Sequence, residues 1–133
     1  MTDISTIAII DDDAGVRSAI EDLLRSSGYQ TEAFSEAAEF LRSPDITHCD
    51  CIVSDFQMPE TNGLDLLWTL RFRRIGIPVI IVSALMSTTV QVEVAKAGAF
   101  YFVEKPFAPE IFLEAVRSAV ANSPEWRRAA SSR

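Results

Sequence analysis

Apolar positions along this chain alternate between two rhythms. Ser5–Ile10 is a nearly unbroken run of β-branched and small apolar side chains, the pattern of a strand covered on both faces. It stops at Asp11-Asp12-Asp13. Val16, Ile20, Leu23 and Leu24 then recur at helical spacing within Ala14–Ser27, and Gly28 suits the left-handed residue that closes a helix. The same succession returns without any repeat of sequence. Gln30–Phe34 predicts a second strand; Ser35 is expected to cap a helix with Ala37, Phe40 and Leu41 inward, broken at Ser43-Pro44. Cys51–Ser54 predicts a third strand, ending at Asp55, and Gly63–Phe72 a helix with Leu64, Leu67 and Leu70 on one face. Pro78–Val82 reads as a central strand, followed by a helix capped by Ser87 with Val90, Val94 and Ala97 inward and Gly98 at its end. Phe100–Val103 is the fifth strand, and Pro109 sits in the first turn of a last helix with Ile111, Phe112, Val116 and Val120 inward.

Strands alternating with helices of this length call for parallel pairing, because each crossover helix returns the chain to the same end of the sheet. The expected class is therefore an open α/β sandwich, and in such sheets ligands gather beyond the carboxyl ends of the strands. The length of 133 residues and the apolar content of 48% suit one domain with one continuous core. A formal charge of −7 argues against direct nucleic-acid binding, which demands clustered Lys and Arg. No apolar run approaches the roughly 18 residues of a membrane span, and the first residues lack the pattern of a secretory signal, so a cytoplasmic location is expected. Cys49 and Cys51 are too close in sequence for an unstrained bridge, and with His48 alone beside them they do not make a structural zinc set. They read as free thiols.

The polar residues at the strand ends carry the chemistry. Asp11-Asp12-Asp13 follow the first strand, Asp55 the third, Ser83 the fourth and Lys105 the fifth. Two like charges about 4 Å apart repel by roughly 4 kcal/mol at an effective dielectric of 20, so converging carboxylates need a cation or a shifted protonation state. An all-oxygen set suits Mg2+ or Mn2+ rather than zinc. With such an ion and Lys105 balancing charge, and Ser83 donating a hydrogen bond, the Asp55 carboxylate has what attack on phosphorus requires. Any one of these residues alone would be read as a turn former or helix cap, and Asp13 is assigned to that structural role.

In this order and spacing, the segments IAIIDDD, VSDFQMPETNGLDLL, IPVIIVSA and GAFYFVEKPF resemble the receiver domains of two-component response regulators, across Thr6 to Asn122. GAFYFVEKPF most resembles the FixJ-like receivers. The resemblance implies a flavodoxin-like (CheY-like) fold, with a five-stranded parallel sheet in the order 2-1-3-4-5 and five helices. It also implies roles: Asp55 as phosphoacceptor, Asp12 as a direct metal ligand and Asp11 largely through water. Gln57 would lend its backbone carbonyl to the metal, Lys105 would pair with the phosphoryl group, and Lys105-Pro106 would be a cis peptide. A switch is implied in which the Ser83 hydroxyl moves and Phe102 rotates, with the face of helix 4, strand 5 and helix 5 as the readout for dimerisation or partner docking. The implied donor is a sensor histidine kinase. Leu85 stands where many relatives carry a polar residue, which predicts slower loss of phosphate.

The domain is expected to span residues 1–122, with 123–133 as a tail or linker stub. FixJ-like receivers normally precede a helix-turn-helix output domain, so the chain is expected to be either a single-domain regulator acting through protein partners or part of a longer parent chain that carries such a domain. Two readings compete. A magnesium-dependent aspartyl phosphatase of the haloacid-dehalogenase type needs a second aspartate two residues after the first, and position 57 is Gln. A phosphorylation-independent receiver-like interaction module usually lacks an acidic residue or the lysine, and here all are present.

Overall fold

The structure, a computed structural model, describes residues 4–43, 46–58, 61–84 and 87–122. Within them lie five strands, β1 (Thr6–Ile10), β2 (Gln30–Phe34), β3 (Cys51–Asp55), β4 (Val79–Ser83) and β5 (Tyr101–Glu104). They alternate with α1 (Ala14–Ser26), α2 (Ala37–Leu41), α3 (Gly63–Phe72), α4 (Thr88–Lys96) and α5 (Pro109–Ala121), plus a 3-10 turn at Ile46–His48. All pairings are parallel, in the order β2-β1-β3-β4-β5. This is the flavodoxin-like, CheY-like arrangement.

The sheet divides two apolar layers. On one face Ala8, Ile10, Ile52 and Ile81 pack with Ala37 and Phe40 of α2, Leu66, Leu67 and Leu70 of α3, and Val94 of α4. On the other, Ile7, Ile9, Val53, Ile80 and Val82 pack with Ile20 and Leu24 of α1 and Phe112, Ala115, Val116 and Ala119 of α5. The runs in β1, β3 and β4 are continuous rather than alternating because both faces of those strands are covered. Hydrophobic burial, at about 25 cal/mol per Å2 of apolar surface, supplies the main drive for this packing.

Local details correct several expectations. Ser35 does not cap α2: the N-cap is Glu36 without a side-chain bond, and the Ser35 N–H is taken instead by Glu39 Oε1 at 3.2 Å. In α3 the inward set is Leu66, Leu67 and Leu70, while Leu64 is only half-buried. Ile111 is 58% exposed rather than inward, because Phe112 next to it takes the core position on α5. Strands β4 and β5 each begin one residue later than expected. Asp13 does cap α1, accepting from the Val16 N–H at 3.0 Å, and Ser87 caps α4 through the Val90 N–H at 3.2 Å. Cys49 and Cys51 are buried free thiols, and burial pushes the Cys51 thiol far above its ordinary range. No helix among the described residues is long and apolar enough to cross a membrane.

Candidate functional site at the carboxyl edge of the sheet

Parallel register brings β1, β3, β4 and β5 to one edge, and the residues that follow them meet there. Ile10 pairs with Ser54, Asp55 with Val82, and Ser83 with Glu104, so Asp11, Asp55, Ser83 and Lys105 occupy neighbouring strand ends. Asp11, Asp12 and Asp55 each place a carboxylate oxygen within 4.8 Å of the others. Lys105 Nζ lies 3.4 Å from Asp11 Oδ2 and 3.6 Å from Asp55 Oδ1. Ser83 is buried, and its carbonyl accepts the Lys105 N–H at 2.8 Å, which fixes where the lysine leaves β5. The Lys105–Pro106 peptide is cis.

Each carboxylate has a different environment. Asp11 is 2% exposed and anchored: its Oδ1 accepts the Asp13 N–H at 2.9 Å, and its carbonyl accepts from Arg17 at 2.7 Å. Asp12 is exposed and Asp55 half-buried. Burial pushes the Asp55 carboxyl above its ordinary value; the Lys105 ammonium pulls it down, Asp11 and Asp12 push it up, and the Phe56 N–H favours the charged form. At these separations each pair of carboxylates repels by roughly 3–4 kcal/mol at an effective dielectric of about 20, and a single ammonium leaves the three carboxylates in formal excess of negative charge. A divalent cation removes that imbalance. Converging carboxylates of graded exposure, with only oxygen donors, fit a hard ion such as Mg2+.

The loop after Asp55 is held by backbone contacts. Phe56 N–H donates to the Val82 carbonyl at 3.0 Å, and Gly63 N–H to the Phe56 carbonyl at 2.8 Å. A Cβ on Gly63 would lie 3.1 Å from Phe56 Cα and 3.2 Å from Ile81 Cδ1, so a side chain here would crowd the start of α3 against the loop after Asp55 by a few tenths of an ångström. Gln57 is exposed in that loop, and Phe102, half-buried on β5, pairs with Ile81 of β4. Leu85 and the tail 123–133 lie outside the described residues. Arg17 and Gly63 were not singled out from sequence as parts of the site. A cation one helical turn beyond the acidic triplet was the available signal for Arg17; nothing local marked Gly63 as more than a helix start.

Over residues 7–117 the sequence matches the family described as the response regulator receiver domain. The chain belongs to this family. As a receiver domain it is 39% identical over 123 residues to response regulator protein TodT of Pseudomonas putida strain F1, covering 92% of this chain and 54% of TodT. To the transcriptional regulatory protein FixJ of Rhizobium meliloti it is 35% identical over 120 residues, covering 90% of this chain and 58% of that protein. The receiver chain thus spans about half the length of the curated relatives it matches. Among solved structures, FixJ-N aligns with a TM-score of 0.83 at 32% identity, covering 93% of this chain and 98% of that one. Chemotaxis protein CheY4 of Vibrio cholerae, at 22% identity and a TM-score of 0.76, shares the fold.

Proposed function

We propose that this receiver domain accepts a phosphoryl group on Asp55 from a sensor histidine kinase. The observation that carries the reading is the half-buried Asp55 carboxylate set between the paired acids Asp11 and Asp12 and the Lys105 ammonium, at the edge where parallel sheets bind ligands. Asp11, Asp12, Asp55 and the backbone carbonyl of Gln57 would hold Mg2+ or Mn2+. That ion, when bound, supplies neutralisation of negative charge on phosphoryl oxygens. An Asp55 oxygen attacks phosphorus and the phosphorus–nitrogen bond of the donor imidazole breaks, the imidazole leaving with the electron pair. Lys105 offers its ammonium to the transferred group, and the Ser83 hydroxyl donates to it. Phosphorylation adds up to about two negative charges, enough to bias a two-state element whose states differ by a few kcal/mol. Ser83 and Phe102 form that element.

The readout is the face of α4, β5 and α5, through which the chain dimerises or docks a partner. Exposed Val92, Tyr101 and Ile111, one on each element, support this. The receiver spans residues 1–122 with 123–133 as a linker stub, and the partial coverage of TodT and FixJ supports a helix-turn-helix output domain in a longer parent chain. The domain works in the cytoplasm and catalyses only its own phosphorylation and dephosphorylation. Gln57, in place of a second aspartate, speaks against a phosphatase.

Incubation with acetyl phosphate and Mg2+, followed by intact mass measurement, tests the reading. One phosphoryl increment on the native chain and none on Asp55→Asn is expected; a gain that survives the substitution removes Asp55 as the acceptor. Sustained release of phosphate from small esters would instead favour the phosphatase.

A further inference from the structure

The end of the molecule opposite Asp55 carries a second charged surface, of the other sign. Among the described residues Arg25, Lys105 and Arg117 form ion pairs, and Arg17 bonds the Asp11 carbonyl. The remaining cations, Arg42, Arg71, Arg73, Arg74 and Lys96, are all exposed and belong to none of the ion pairs of the described residues. They sit together at the C-terminal ends of α2, α3 and α4: Arg73 donates to the Leu41 carbonyl at 3.1 Å and Arg71 to the Lys96 carbonyl at 2.8 Å. Glu39 and Glu93, each three positions before a cation on the same helix, are paired with none of them.

Helix ends favour cations, and that accounts for Arg71 and Arg73, which satisfy terminal carbonyls. It does not account for Arg74, which adopts φ 58°, a left-handed backbone that costs a non-glycine residue stability, and whose side chain makes no bond among the described residues. Nor does it account for the apolar surface beside it. Phe72 is 88% exposed and Trp68, one turn earlier, 49% exposed with the Arg71 guanidinium 5.4 Å from its ring centroid. Next to them a groove of about 510 Å3, lined by Leu67, Leu70, Arg71, Ile75 and Phe100, opens at the amino ends of β4 and β5.

We propose that this surface docks an acidic segment of a partner protein that carries apolar anchor side chains. The anchors would seat in the groove and against Trp68 and Phe72, and the carboxylates on Arg71, Arg73, Arg74 and Lys96. The groove selects a side-chain-bearing segment over a bilayer. The net charge of −7 selects a short anionic segment over nucleic acid, since an extended phosphate backbone would run onto the acidic remainder of the surface. Screening over about 8 Å at physiological salt lets a short segment respond mainly to the local cations. The chain's own tail is a poor occupant although Asn122 lines the groove, because residues 123–133 hold Arg127, Arg128 and Arg133 against one carboxylate side chain, Glu125.

The surface is independent of the phosphoryl reading, and its test does not use phosphorylation. The 15N-labelled full chain is titrated with a synthetic peptide of repeating Asp-Glu-Phe-Glu-Asp-Leu units at physiological salt. Saturable amide shifts at Leu67, Trp68, Arg71, Phe72 and Phe100 are expected. The dissociation constant should rise about tenfold in Phe72→Ser and in Arg74→Gly, with thermal stability unchanged or raised in both. No shift at these residues overturns the proposal. So does equal affinity for the peptide with Phe and Leu replaced by Ser, or as tight binding of an oligothymidylate or of phosphatidylglycerol vesicles. Sedimentation showing a dimer that Phe72→Ser abolishes would assign the surface to a second copy instead.

Discussion

The two ends of this sheet are built by the same alternation of strand and helix, yet they hold charge in opposite ways. At the carboxyl edge Asp11, Asp12 and Asp55 are brought within 4.8 Å of one another, one ammonium pairs with Asp11 and Asp55, and burial together with the neighbouring acids pushes the Asp55 carboxyl up. At the amino edge the cations stand exposed at helix ends, outside the ion pairs of the described residues. The first arrangement suits chemistry, because clustered charge in a partly desolvated place strongly affects bound groups. The second suits recognition, because exposed charge acts mainly on what comes close. If the contrast holds, substitutions at the acidic edge should alter reaction rate and pH dependence, while those at the basic end should alter neither.

The largest effect is expected for Lys105→Ala. It removes the only cation paired with Asp11 and Asp55 among the described residues and leaves three carboxylates facing one another. Labelling by acetyl phosphate, followed by mass measurement over time, should slow by about 100-fold, which corresponds to about 3 kcal/mol of lost stabilisation. Labelling at the native rate would show that Lys105 serves only to hold the fold.

Gly63→Ala comes next. The new Cβ, 3.1 Å from Phe56 Cα, forces the start of α3 away from the loop after Asp55. A loss of about 2 kcal/mol in chemical denaturation is expected. Labelling should slow as well, since the displaced loop carries Gln57.

Asp55→Asn sharpens the electrostatic side of the contrast. The folded Asp55 carboxyl is held above its ordinary value near 3.8, so the folded chain keeps this proton more tightly than the unfolded one. That contribution is complete below the ordinary value and is lost as pH rises through the raised one. Asparagine, which cannot charge, should therefore stabilise the metal-free protein at pH 7, on the order of 1 kcal/mol or roughly 3–5 °C in melting temperature. The gain should shrink toward pH 4. A gain that does not change with pH would mean that the charge of Asp55 costs the fold nothing.

Much of this was legible before any coordinates. The alternation of apolar runs and helical spacings predicted all five strands and all five helices. The signal is strongest for β1, β3 and β4, which are covered on both faces and tolerate little polar interruption, and weaker for the edge strands β2 and β5. The rule for strand ends then selected Asp11, Asp55, Ser83 and Lys105, residues tens of positions apart. Strand order was different: periodicity is the same whichever strand lies beside which, and the order came from the family resemblance. Side-chain choices within an element were also hidden. Ile111 and Phe112 are both apolar neighbours on α5, and only packing against β5 and β4 decides which turns inward. The basic end escaped notice because its cations come from separate helices, where each reads as an ordinary C-terminal charge. Only the folded helix ends show that they add up.

Arg74→Gly is the smallest of these effects and the one most specific to the basic end. An L-residue at φ 58° pays a steric penalty that glycine does not, and the last turn of α3 already closes through the Arg74 N–H to the Arg71 carbonyl at 3.0 Å. The substitution keeps that backbone bond and removes only the side chain. A gain of about 0.5–1 kcal/mol is expected in denaturant unfolding, with labelling of Asp55 unchanged. Stability and affinity for acidic peptide would then move in opposite directions at one residue, which no purely structural role for Arg74 produces. A loss of stability would mean that its side chain supports the fold.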